Sequence, residues 1–324
     1  MYKRQAQEPV ERAANLKRFQ YTETHMGVPF RMTVYARNRG LANSASAAAF
    51  ARIESLNRVF SDYSTKSEVA KLRAVKAGQP ASVSPDMAML LGRSLRLSKQ
   101  TNGAFDVTVG PIVRLWRRCR RTKRLPKPES LERARQRSGY HRVTLSGKRL
   151  TLDAEGMRLD FGAIAKGFAC DEAIASLTKH GIQSALVDGG GDIRMSDSPP
   201  GKDGWQIEIE PEKANTAATM LTLRKCGVAT SGDRYRFVEI DGTRYSHIVD
   251  PRTGVGLTSR LMVTIIAPNA TDADAFASAV SVLGKKEGMR LLESREHTDG
   301  LIRDYLATTP TSHRSSGFAQ FTVR

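Results

Sequence analysis

The spacing of apolar residues along this chain switches repeatedly between a period near two and a period near 3.6, so strands and helices are both expected. Phe19 to Tyr35 alternates loosely about Gly27-Val28-Pro29, which predicts strand, turn, strand. Within the alanine-rich stretch Ala42 to Phe60, Phe50, Ile53, Leu56 and Phe60 recur at helical spacing. Pro85 to Lys99 is expected as a second helix, with Pro85 at the start, where a missing N–H costs nothing. Thr101 to Arg114 reads as a loop passing into apolar residues. Arg117 to Pro128 reads as a basic, solvated loop and Glu129 to Arg137 as a short helix. Val143-Thr144-Leu145 and Leu150-Thr151-Leu152 flank Ser146-Gly147-Lys148, a hairpin signature.

Ile164 to His180 is the third main helix, closed by Gly181. A short buried strand, Ala185 to Val187, runs into Asp188-Gly189-Gly190-Gly191-Asp192. Strands are expected at Trp205 to Ile209, Met220 to Leu223, Tyr235 to Ile240, Thr243 to Ile248 and Leu261 to Ala267. Asp272 to Leu283 reads as a helix ended by Gly284, with Lys285 to Leu292 as another. Ile302 to Ala307 and Phe318 to Val323 would close a sheet. Helices with hairpin-linked strands and no regular βαβ alternation argue for an α+β fold. Residues 1 to 18 look unrelated to the rest and are expected to be disordered, with 19 to 324 forming one domain.

At 324 residues and 40% hydrophobic content, the chain can bury a substantial core. No apolar stretch approaches the roughly 20 residues of a membrane span. The formal net charge of +18 favours polyanions, acidic partners or an anionic membrane surface. The densest run, Arg117 to Arg124, has no interleaved aromatic residues, although Trp116 precedes it. Such a run is a poor single-strand platform, so no specific nucleic-acid partner is expected. Cys119, Cys170 and Cys226 are far apart, and their spacing suits neither a metal site nor a disulfide framework. Met1 to Lys17 is polar and lacks the apolar stretch of an export signal, which leaves the natural start of the chain open.

Candidate chemistry begins at Leu159-Asp160-Phe161-Gly162-Ala163-Ile164-Ala165-Lys166-Gly167-Phe168-Ala169-Cys170. Helix starts carry unpaired N–H groups and attract phosphate, and Lys166 in the first turn adds a full charge. The plainer alternative is a glycine-punctuated helix start with an exposed lysine. Asp274 and Ser278, four residues apart, share one helix face and form a hard-oxygen pair suited to Mg²⁺. Alternatively, Thr271 and Asp274 form a capping box and Asp274 merely caps its own helix. The three glycines after the 185–187 strand admit close approach of a nucleotide, or simply turn the chain; they do not match the dinucleotide fingerprint. His247 suits a general base near neutral pH, or is an ordinary packed histidine. Tyr63, after a helix end, could stack on a flat ring or pack plainly. Thr101-Asn102-Gly103-Ala104-Phe105-Asp106 is a carboxylate-bearing loop or an ordinary turn.

Taken in order, Thr101–Pro111, Leu159–Ala169, Leu186–Ile193, Ser246–Gly254 and Thr271–Ser278 resemble the ApbE-type FAD:protein FMN transferases. The resemblance runs from about His25-Met26-Gly27 to Gly284. It implies a single compact, T-fold-like α+β unit of mixed, mostly antiparallel sheets packed with helices. It also implies Mg²⁺-dependent cleavage of FAD, transfer of FMN to a threonine or serine of a target flavoprotein, and release of AMP. The implied metal ligands are the Ala163 carbonyl, Asp274, the Ser278 hydroxyl and the Ala277 carbonyl. The implied FAD contacts are Met26, Tyr63, Ala104, Phe105, Asp106, Asp160, Lys166 and the Ile248 backbone. His247, Lys166 and Asp274 would be catalytic.

The family more often has threonine at the Ser278 position, and serine keeps the ligand oxygen. The family acceptor sits in an Asp-Gly-x-Ser/Thr-Gly-Ala-type motif. Asp241-Gly242-Thr243 is followed here by Arg244, so the expected acceptor is another protein. Two alternatives keep the flavin: an FAD pyrophosphatase with water as acceptor, and a non-catalytic flavin-binding protein. By resemblance the protein belongs in the bacterial cell envelope, in the periplasm or on the outer face of the inner membrane; the chain shows no such signal, and the cytoplasm stays open.

Overall fold

The structure, a computed structural model, describes residues 15–209, 218–233, 236–306 and 309–322. Expectations for residues 1–14, Tyr235, Ala307 and Val323 lie outside these. In chain order, β1 (Lys17–His25) and β2 (Val28–Ala36) form the first hairpin. β1 opens two residues ahead of the expected domain start. α1 (Arg39–Phe60), α2 (Glu68–Lys71), β3 (Ala81–Ser82), α3 (Pro85–Gln100), α4 (Gly110–Thr122) and α5 (Pro128–Gln136) follow. Then come β4 (Val143–Ser146), β5 (Arg149–Leu152), α6 (Ala165–Lys179), β6 (Ser184–Gly189) and β7 (Asp192–Met195). Next are β8 (Trp205–Ile209), β9 (Thr219–Leu223), β10 (Gly227–Gly232), β11 (Phe237–Ile240), β12 (Thr243–Ser246) and β13 (Leu261–Ala267). α7 (Ala270–Glu293), β14 (Asp299–Asp304) and β15 (Thr311–Arg314) end the series.

One eight-stranded sheet, in the order β1-β2-β6-β7-β10-β13-β14-β15, organises the molecule, and every pairing within it is antiparallel. β13 explains why the sheet is central. All seven of its residues are buried, because both faces of the sheet are covered. Val263, Ile265 and Ala267 point into the core shared with α1, α6 and α7. Ile266 points the other way, into a cluster with Trp205, Ile207, Leu221 and Phe318. This is the period-two alternation of a strand packed on two sides.

Three expectations are corrected. The basic run is not a loop: α4 carries it to Thr122. Ile112, Trp116 and Cys119 fall at helical spacing and are buried against Val238, Ile240 and Val249, while arginine is itself a good helix former. Phe318–Phe321 is a 3₁₀ turn, not a strand. Asp274 does not cap its helix. Asn269 is the cap, its side chain accepting from the Asp272 N–H, and Asp171 accepts from the N–H groups of Ala270 and Thr271 at 2.9 Å each. The break expected at Gly284 is present as a kink with φ 77°, which glycine tolerates and a β-carbon would not. Among the described residues, no helix is long and apolar enough to cross a membrane.

Candidate active site

The first turns of α6 and α7 touch, and glycine is what lets them. A β-carbon on Gly167 would lie 2.2 Å from the Ala270 carbonyl oxygen and 3.0 Å from Asp274 Cβ. With no side chain there, the Gly167 N–H instead donates to Asp274 Oδ2 at 3.3 Å. Lys166, one residue earlier, donates to Asp192, which the tight turn at Gly190-Gly191 brings to the start of β7. Two carboxylates and one ammonium therefore share a largely buried floor. Burial works against the Lys166 charge, but Asp192 and Asp274 outweigh it and hold the side chain protonated. Burial pushes the Asp274 carboxyl up to about 7, Asp192 adds to the effect, and Lys166 and the Gly167 N–H oppose it. Burial likewise pushes Asp192 up, against Lys166.

This floor is short of positive charge. Ser278 lies one turn along α7 from Asp274, and Ala163 and Ala277 line the same cavity. The oxygen-rich donor set and the buried carboxylate suit a hard divalent cation that takes its remaining ligands from water or phosphate. Among the described residues, no group of three or more His, Cys, Asp or Glu could hold a metal unaided.

The floor belongs to a cavity of about 480 Å³. Of the residues singled out from the sequence, Tyr63, Ala104, Phe105, Asp106, Asp160, Ala163, Lys166, His247, Ile248, Asp274, Ala277 and Ser278 all line it. Met26 does not. It sits at the β1–β2 turn with φ 51°, packed against the core, and Val28 reaches the wall instead. Tyr63 is 84% exposed, with the Arg117 guanidinium 4.8 Å above its ring, so its other face is open to a planar group.

Asp160 Oδ1 accepts from the Gly162 N–H at 2.9 Å and Oδ2 from Arg117 at 3.1 Å. Burial raises the Asp160 pKa against these two partners. Asp106 is buried and accepts from the Thr108 N–H, the Thr108 hydroxyl and the Tyr140 N–H at 2.7–2.8 Å. Its carboxylate thus shapes the 104–108 loop, the segment that lines the cavity.

His247 has one defined tautomer. A backbone carbonyl only accepts, so Nδ1, 3.1 Å from the Arg236 carbonyl, carries the proton, and Nε2 is left as an acceptor. Burial lowers the His247 pKa to about 4; the hydrogen bond to the Arg236 carbonyl opposes it, and the charges of Arg236 and Arg120 add to it. The ring is neutral at pH 7.

Asp192, Arg117, Arg120 and Arg236 also line the cavity and are not among the site residues expected from the sequence. Asp192 closes the Asp-Gly-Gly-Gly-Asp run and was visible as part of it. The two arginines of α4 were hidden inside a run that reads as solvated.

The fold and cavity define a single α+β unit whose site has a carboxylate-bearing floor at the meeting of two helix starts and arginines elsewhere in its lining. The ApbE family model matches residues 26–302. A protein of Treponema pallidum named FAD:protein FMN transferase is 32% identical, the alignment spanning 89% of this chain and 85% of the relative. A Vibrio cholerae protein of the same name is 31% identical over 79% of this chain and 80% of its own length. Among solved structures, the flavin transferase ApbE from Vibrio cholerae superposes with a TM-score of 0.85 at 27% identity, covering 94% of this chain and 99% of that one. The apo flavinyl transferase ApbE of Pseudomonas stutzeri gives 0.84 at 28% identity, covering 94% of this chain and 97% of the other. This chain belongs to the ApbE family.

Proposed function

We propose that this protein cleaves FAD in a Mg²⁺-dependent reaction, passes FMN to a serine or threonine hydroxyl of another flavoprotein and releases AMP. The names of its relatives support flavin transfer in general. The observation that carries the finer reading is the joint placement of Lys166, Asp192 and Asp274 at the floor of one cavity, with His247 in its wall.

Asp274, the Ser278 hydroxyl and the carbonyls of Ala163 and Ala277 would hold the metal. When bound, it supplies Lewis acidity and a template for the substrate phosphates. Lys166 is held charged and neutralises the doubly anionic pyrophosphate. The acceptor oxygen attacks the FMN phosphorus, the bond to the AMP oxygen breaks, and the hydroxyl proton passes to Nε2 of His247. A neutral hydroxyl is a poor nucleophile, and a positioned base contributes roughly 10²–10⁴-fold. The low proton affinity of the free His247 keeps it unprotonated and ready to accept, and the negative charge of the bound pyrophosphate raises that affinity in the complex. Tyr63 offers a face for the flavin ring, and Asp160 fixes the turn ahead of α6.

An acceptor bearing an Asp-Gly-x-Ser/Thr-Gly-Ala-type motif, incubated with protein, FAD and Mg²⁺, tests this reading. Acid-stable FMN on the acceptor with stoichiometric AMP is expected. AMP and free FMN at the same rate without acceptor would identify a pyrophosphatase instead. Retained FAD with no AMP release would identify a binding protein.

A further inference from the structure

A second cavity, of about 670 Å³, opens beside the flavin cavity, between α4, α5 and the segment ahead of α6. Arg114, Arg117, Arg118 and Arg121 line it from one face of α4, at i, i+3, i+4 and i+7. Arg133 on α5 and Arg137, the residue that caps its C-terminus, line it from the other helix, and Arg158 completes the set. No aspartate, glutamate or aromatic residue lines it among the described residues.

Arg117 is paired with Asp62 and Asp160. Arg114, Arg118, Arg121, Arg137 and Arg158 make no ion pair among the described residues, and Arg133 reaches only the Ser130 hydroxyl, at 3.3 Å. Burial and the neighbouring Arg114 and Arg73 weaken the hold of Arg158 on its proton, with Asp62 opposing. Guanidiniums that outnumber their counter-charges along one recess repel one another, and the fold keeps them together over two helices.

We propose that this arginine-lined cavity docks a carboxylate-rich segment of the acceptor protein. The inference rests on reading the chain as a transferase with a protein acceptor. Arg117 lines both cavities, so an occupant of the second lies directly beside the flavin site. A protein acceptor must be held there while its hydroxyl is attacking, and several carboxylates match several guanidiniums in paired, charge-assisted hydrogen bonds. The absence of lining aromatics disfavours a nucleic-acid strand, which would want stacking. A recess between two helices also disfavours a flat lipid surface.

The test uses a fluorescently labelled oligoglutamate peptide and measures anisotropy at low salt. The proteins are the wild type, Arg118→Gln/Arg133→Gln and Arg114→Gln/Arg137→Gln. FAD binding and acceptor-free AMP release are followed in parallel on each. The peptide is expected to bind the wild type and to bind both double variants about tenfold more weakly, the loss of two solvent-accessible charge pairs, with FAD binding and cleavage unchanged. Equal peptide affinity for wild type and both variants would overturn the docking proposal. So would tighter binding of oligothymidylate or of phosphatidylglycerol vesicles than of the peptide. A wild type that neither binds nor cleaves FAD would overturn the transferase reading itself, a separate result.

Discussion

Gly167→Ala is the substitution in which packing and chemistry meet. The added β-carbon would sit 2.2 Å from the Ala270 carbonyl oxygen and 2.7 Å from its carbon. Restoring ordinary contact requires the starts of α6 and α7 to part by about 1 Å. Overpacking of this kind costs about 1–3 kcal/mol, and the usual helix gain of glycine to alanine, about 0.5–1 kcal/mol, offsets only part of it. The same separation moves Lys166 away from Asp274, and a 1 Å misplacement of reacting groups costs about 10²-fold in rate. The assay is a urea midpoint beside the rate of FMN transfer to an acceptor protein. Gly92→Ala is the control: the new β-carbon on α3 would meet Leu145 Cδ2 at 3.6 Å, an ordinary contact, so stability should hold or rise. Gly167→Ala with a wild-type midpoint and a wild-type rate would refute the argument. A lowered midpoint with an unchanged rate would refute the coupling of this helix contact to the chemistry.

His247→Gln is expected to slow FMN transfer by about 10²–10⁴-fold with little change in FAD affinity, measured by single-turnover transfer and equilibrium binding. Because burial outweighs the hydrogen bond to the Arg236 carbonyl and holds the His247 pKa down to about 4, kcat/KM should be insensitive to this group between pH 5 and 7 and fall only toward pH 4; a limb at the ordinary 6.5 would contradict the half-buried, neutral ring. The sign for stability is the same: the depressed group's contribution is complete above 6.5 and is lost as the pH falls from 6.5 through about 4, where the unfolded chain binds the proton first. Asp171→Ala leaves the Ala270 and Thr271 N–H groups and the Thr271 hydroxyl without their acceptor and should cost about 1–3 kcal/mol in chemical denaturation.

Much of this molecule was legible in the sequence because it is written in local patterns. The β1–β2 and β4–β5 hairpins, α1, α3, α6 and the Gly284 kink follow from alternation, helical spacing and glycine placement. Most of the residues flagged from motifs converge on one cavity. What stayed hidden depends on partners distant in sequence. α4 was obscured because its helical stripe is only Ile112, Trp116 and Cys119 among arginines, and what buries that stripe is the β11–β12 region more than a hundred residues on. β10 reads as Gly-Val-Ala-Thr-Ser-Gly and becomes a strand because β7 and β13 flank it. Asp192 gains its meaning from Lys166, 26 residues earlier. The capping box at Thr271–Asp274 lost to Asn269 because Asp171 already satisfies the N–H groups of Ala270 and Thr271, which frees Asp274 to face Lys166.

In the proposed reaction Asp274 would anchor a divalent ion against the FAD phosphates. The most direct test of this role is the intact mass of an acceptor protein after incubation with FAD and Mg²⁺ and either wild type or Asp274→Ala. One FMN is expected to be added with wild type, and none with Asp274→Ala or after chelation of the metal. FMN added at the wild-type rate by Asp274→Ala would contradict that role.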